Sequence, residues 1–268
     1  YIGHNTNSGG YWGGIQAEGV TFTAFSEGVE NRWGGITFYN KSWDQDSVSN
    51  FIKSCHISNA VNAVYCQSAN PAIRNSTFSG NNDAIFADGG SQPTVAYNTF
   101  TDNDRPIYIY PYRIDGNLYG NSYSNNTKNY IEVAGGHLSD NRTYHWLKDG
   151  APYVIIDPIN VYCNSNADNQ YTWLNIESGT ELQFYGGKRL YIGHDTGSSG
   201  YWGGIQAEGV TFTAFSEGVE NRWGGITFYN KSWDQDTVSN YIKNSYFENG
   251  VFNQLTGASP YFRGVTFT

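Results

Sequence analysis

Chemistry, if this chain performs any, would come from a short run of charged residues. Asp102, Asp104 and Arg105 lie side by side, Asp83 precedes them, and Arg113 and Asp115 follow. Two carboxylates about 5–10 Å apart can cleave a glycosidic bond, one protonating the leaving oxygen while the other attacks or activates water. A calcium-dependent lyase would instead need clustered carboxylates and a Lys or Arg base. The plainer alternative is a solvated turn column, since Asn59, Asn81, Asn103 and Asn126 recur at similar positions. Catalytic roles are therefore left unassigned, with Asp83, Asp102, Asp104 and Arg105 as the candidates if the protein is an enzyme.

A second group has the composition of a binding surface. Trp33 and Trp43 flank Asp44 and Asp46, and the same set returns as Trp223, Trp233, Asp234 and Asp236. Aromatic faces beside carboxylates suit sugars or a neighbouring subunit, and Asp-x-Asp offers hard oxygen ligands to calcium. The alternative is that the tryptophans pack projecting loops onto the scaffold. No metal site is expected, because the five histidines do not cluster and no CxxC occurs. Without a Gly-rich phosphate loop carrying its Lys, no cofactor is expected either. Cys55, Cys66 and Cys163 are expected as free thiols. Cys55 and Cys66 fall in inward columns, half a coil apart on opposite walls, which does not suit a disulfide.

These residues need a scaffold, and repeats define it. Residues 1–52 recur at 191–242 with differences only at positions 5, 7, 9, 47 and 51. The offset of 190 residues gives about 1.4 copies of a ~190-residue module. A second period lies inside it. Ile57, Phe78, Phe100 and Tyr123 are spaced by 21, 22 and 23 residues. Ile52, Ile73, Val95 and Leu118 form a parallel column, as do Val64, Ile85, Ile107 and Tyr130. Cys55, Ser76, Asn98 and Asn121 form a small or polar column, read as an inward ladder of amides.

A period of 21–23 residues without helical spacing predicts short strands stacked as coils. The fold class is all-β, a right-handed parallel β-helix rising ~4.8 Å per coil. Extra residues at Ser26–Arg32 and Lys41–Ser47, and again at Ser216–Arg222 and Lys231–Thr237, predict projecting loops. The rhythm breaks after residue 137, which places a first module at 1–142 and a second at 143–268.

Composition narrows the partners. A net charge of −9 disfavours nucleic acid, and no apolar run is long enough for a membrane helix. Only 15% of residues are charged but 17% are aromatic, so the chain has much to bury. Starting at Tyr1 without methionine, it reads as a mature fragment or a segment of a longer protein. Sequons at Asn40, Asn75, Asn125, Asn141 and Asn230 permit glycosylation in an extracellular setting.

Leu174-x-Ile176, Leu182-x-Phe184 and Leu190-x-Ile192-Gly, followed by Gly-Val-x-Phe-Thr and Trp-x-Gly-Ile-x-Phe, resemble secreted right-handed β-helix repeat proteins. That group includes disaggregatase-like modules on the surfaces of methanogenic archaea. The resemblance implies an extracellular or cell-surface protein. The near-identical large repeat adds length and valency, where one catalytic site gains little from a copy, and so predicts a structural role, forming or decorating a layer, sheath or filament. Self-association or adjoining modules end to end, and a polysaccharide, are the expected partners. A carbohydrate-active enzyme and a non-catalytic glycan-binding or adhesin module are the alternatives. The Asn-Thr-Asp, Gly-His-Gly and Arg-Ile-Lys motifs of polygalacturonase-like hydrolases are missing, and Arg113-Ile114 is followed by Asp115.

Overall fold

The computed structural model describes residues 2, 13–26, 29–40, 50–165, 167, 170–195, 200–216, 218–232, 240–251 and 254–268. Among them the regular elements are short parallel strands and single 3-10 turns, with no α-helix. The chain is a right-handed parallel β-helix and divides into two compact units. One holds 1–113, 117–132 and 149–151. The other holds 114–116, 133–148 and 152–268.

In the first unit each coil contributes one strand to each of three faces. The first face stacks Gln16–Glu18, Phe51–Lys53, Ala72–Arg74, Thr94–Ala96 and Leu118–Tyr119. The second stacks Thr21–Phe22, His56–Ser58, Thr77–Ser79, Thr99–Thr101 and Ser122–Ser124. The third carries Ile36–Phe38, Asn62–Cys66, Asp83–Ala87 and Arg105–Ile109. The predicted columns are the registers: Ile52 pairs with Ile73, Ile73 with Val95, and Val95 with Leu118. Ile57, Phe78, Phe100 and Tyr123 pair in the same way. Phe78, Phe100 and Tyr123 stack with centroids 5.1 and 5.2 Å apart. Tyr130, the last residue of the third predicted column, is buried at the bend before the strand Ile131–Val133.

Two corners per coil turn the chain through left-handed backbone. Ser54, Asn75, Tyr97 and Gly120 occupy one corner, with φ of 53°, 52°, 58° and 67°. Asn59, Gly80, Asp102 and Asn125 occupy the next, with φ of 55°, 64°, 55° and 56°. Asn, Asp and Gly tolerate this region best, which accounts for most of the eight.

The residue after each corner points inward. Cys55, Ser76, Asn98 and Asn121 form the predicted ladder, each backbone N–H donating to the side chain one coil on: Ser76 Oγ at 3.1 Å, Asn98 Oδ1 at 3.0 Å and Asn121 Oδ1 at 2.9 Å. The buried carboxylate of Asp149 ends it, accepting from the Asn121 N–H at 2.7 Å, Asn121 Nδ2 at 2.8 Å and the Tyr123 hydroxyl at 2.7 Å. A second ladder corrects the solvated-turn reading. Asn81, Asn103 and Asn126 are buried, and the N–H groups of Ala60, Asn81 and Asn103 donate to their Oδ1 atoms at 3.0 Å each. Only Asn59, at the corner itself, remains partly solvated. Buried backbone donors need partners, and an asparagine per coil supplies one while its own Nδ2 donates to a carbonyl.

The second unit repeats the plan. Tyr171–Ile176 pairs with Trp202–Ala207, Glu181–Phe184 with Thr211–Ala214, and Leu190–Ile192 with Ile226–Phe228. Glycines in the Trp-Gly-Gly-Ile motif let backbones approach. A Cβ on Gly35 would lie 1.6 Å from the Asn62 carbonyl oxygen, and one on Gly203 would lie 1.8 Å from that of Val161.

Candidate functional site

The third face of the first unit carries the richest chemistry. Asp83 and Arg105 begin adjacent strands and stand opposite each other in register. Arg105 clamps Asp83 with two bonds, Nε to Oδ1 at 2.7 Å and Nη2 to Oδ2 at 2.9 Å. Its remaining Nη1 donates to Glu132 Oε1 at 2.7 Å, and Lys128 Nζ reaches Glu132 Oε2 at 2.6 Å. Two carboxylates therefore face two cations. Asp83 and Glu132 are buried, with side chains 10% and 5% exposed. Such a bidentate pair is among the stronger hydrogen-bonded arrangements and fixes its members.

The guanidinium also lies over aromatic rings, 4.8 Å from the Tyr108 centroid and 5.5 Å from that of Phe86. Tyr65, Phe86 and Tyr108 share one register column. Phe86 and Tyr108 stack at 4.7 Å, and Tyr65 meets Phe86 edge-on at 5.3 Å. Burial opposes the charge on Arg105, yet Asp83 and then Glu132 raise its pKa above the ordinary value. Burial, then Tyr110 and Glu132, push the Tyr108 hydroxyl up to about 12.

Of the four candidate catalytic residues the structure brings only Asp83 and Arg105 together. Asp102 sits at a left-handed corner and accepts from Thr101 Oγ1 at 3.0 Å. Asp104 is half-exposed and pairs with Arg32 at 3.4 Å. Between them Asn103 turns inward into its ladder. Glu132, Lys128 and the aromatic column were not singled out from sequence. Their signals were a glutamate inside an apolar strand, a lysine four residues before it, and the spacing of 21 and 22 residues from Tyr65 to Phe86 to Tyr108.

Trp33 and Trp223 make packing contacts. Trp33 donates Nε1–H to the Ser58 carbonyl at 2.8 Å and stacks on Phe22 at 6.3 Å. Trp223 is wholly buried, donates to the Glu248 carbonyl at 3.0 Å and stacks on Phe184 at 4.6 Å. Both indoles pack within their own unit, and Trp33 stays partly exposed. Trp43, Asp44, Asp46, Trp233, Asp234 and Asp236 lie outside the described residues.

The sequon asparagines Asn75, Asn125, Asn141 and Asn230 are exposed, whereas the Asn40 Oδ1 is buried with no hydrogen-bond partner among the described residues. Cys55, Cys66 and Cys163 are buried free thiols, and burial raises Cys66 and Cys163 above the ordinary value. Among the described residues no group of three His, Cys, Asp or Glu side chains converges as a metal site, and no helix is long and apolar enough to cross a membrane. A concavity in the second unit is lined by Trp223, Phe247, Val251, Phe267 and Thr268.

A family model described as the right-handed β-helix region matches residues 5–149. No curated protein and no solved structure matches the chain.

Proposed function

The chain belongs to the right-handed β-helix family, and from that premise we propose that it is a structural protein of an extracellular surface, forming or decorating a layer, sheath or filament. The duplicated coil carries this reading. Ala17 pairs with Ile52 as Ala207 pairs with Ile242, and Phe22 pairs with Ile57 as Phe212 pairs with Phe247. A near-identical second coil adds contact area and valency, whereas one catalytic site gains little from a copy. The buried ladders add stiffness, because every rung is hydrogen-bonded to the next. Exposed sequons accord with an extracellular address.

A second reading, glycan contact, is favoured by the Tyr65–Phe86–Tyr108 column beside Arg105. Negative-stain electron microscopy of the native protein tests the first. Regular filaments, tubes or sheets are expected, with an axial repeat set by the ~190-residue module. Isolated particles that release reducing ends or unsaturated sugars from a polysaccharide would overturn it in favour of the enzyme. Isolated particles retarded in a polysaccharide gel without cleavage would move the assignment to a glycan-binding module.

A further inference from the structure

At one corner of the coils Ser54, Asn75, Tyr97 and Gly120 stack in left-handed backbone. Asparagine and glycine suit that region, but an aromatic side chain is strained there. Burial does not offset the strain. Tyr97 is 59% exposed, and its hydroxyl makes no hydrogen bond among the described residues. The ring is nonetheless fixed. A Cβ on Gly120 would lie 2.6 and 2.7 Å from the Tyr97 Cδ1 and Cε1, so the ring rests where only glycine admits it. Tyr119 meets the same ring edge-on, at 5.3 Å and 89°. One rim is held and the rest faces water.

Asn75 stands one coil earlier at the same corner and opens the sequon Asn75-Ser76-Thr77. Its N–H donates to the carbonyl of Ala96, the residue before Tyr97, at 3.2 Å. That places the two corner residues side by side, one coil of about 4.8 Å apart. The Asn75 side chain is exposed and makes no hydrogen bond among the described residues. Asn125 is a second exposed sequon, but its corner column runs through Asn59, Gly80 and Asp102 and carries no ring.

We propose that Asn75 carries an N-linked glycan whose first sugars lie on the Tyr97 ring. In the attachment the Asn75 Nδ2 displaces diphosphate from the anomeric carbon of a lipid-diphosphate-linked oligosaccharide. A C–N bond forms, a C–O bond breaks, and an amide proton leaves. The apolar face of a pyranose packs on an aromatic ring, while the phenol hydroxyl stays at the edge for sugar hydroxyls or water. A ring already fixed by Tyr119 and Gly120 loses little freedom when it is covered. The inference rests on the extracellular reading, because such transfer acts on secreted chains.

Secretion of the full chain from a glycosylating eukaryotic host tests it. Peptide mass mapping is expected to find Asn75 occupied. Nitration of Tyr97 by tetranitromethane is expected to run about fivefold slower in that protein than in Asn75→Gln, the effect of one aromatic contact of ordinary strength. Asn125→Gln is expected to leave the Tyr97 rate unchanged. Thr77→Ala removes the sequon while keeping Asn75 at its left-handed corner, and is expected to match Asn75→Gln. Equal Tyr97 rates with and without the Asn75 glycan would overturn the inference. A glycan on Asn125 with none on Asn75 would overturn it and leave the extracellular reading standing. A chain with every sequon bare would remove both.

Discussion

At the residue scale, two kinds of buried polar group hold the first unit. Asn98 makes three ladder bonds, donating to the Ile73 carbonyl at 2.9 Å and Asn121 Oδ1 at 3.1 Å while accepting from the Ser76 N–H at 3.0 Å. Asn98→Ala strands those partners away from water. A loss of about 2–3 kcal/mol is expected from the unsatisfied groups, measured by urea unfolding. The Arg105 cluster behaves differently, because its cost is ionic. Arg105→Met leaves Asp83 and Glu132 buried with only Lys128 nearby, and about 3–5 kcal/mol is expected to be lost. The triple change Arg105→Met, Asp83→Asn, Glu132→Gln should recover most of it, which the same unfolding curves would reveal. Columns of Ser and Asn were legible in the sequence from spacing alone. The inward turn of Asn81, Asn103 and Asn126 was not, because asparagine suits both a solvated turn and a buried ladder.

At the element scale, the corners and the glycine contacts set where each strand begins. Gly35 has φ of +92° and approaches the Asn62 carbonyl oxygen, so Gly35→Ala meets both strain and backbone. We expect it to cost about 3 kcal/mol or more. Gly34→Ala, with open space around it, should change stability by roughly 0.5 kcal/mol or less. Thermal melts of the two single variants check the contrast, and similar melting temperatures would contradict the close approach. The paired glycines of the Trp-Gly-Gly-Ile motif are visible in sequence and suit either a tight bend or a close backbone approach. Which glycine makes it depends on the neighbouring strand, which local sequence does not specify.

At the scale of the whole molecule, the abundance of tyrosine gives stability a pH dependence at the alkaline end. Burial is the main influence that pushes the Tyr108 hydroxyl up to about 12 from its ordinary value of 10.0. Burial also raises Tyr65, Tyr112, Tyr144, Tyr162 and Tyr229. A raised tyrosine holds its proton more tightly when folded, so its contribution is fully present below pH 10 and is lost as pH rises through the folded value. Stability is therefore expected to fall from about pH 10 upward, measured by unfolding at stepped pH. In a tyrosinate absorbance titration, Tyr108→Phe should remove a component near pH 12. A stability flat through that range would contradict the burial of these hydroxyls.

The sequence by itself determined the coil period, the apolar columns, the first polar ladder and the duplication. All of these follow from like residues stacking on like at fixed spacing, a pattern written along the chain. Tertiary structure alone decided two further matters. It joined Asp83, Arg105, Lys128 and Glu132, because charges on different coils meet only when the coils are stacked. It turned Trp33 and Trp223 against their own units, because an indole's environment depends on the strand beneath it.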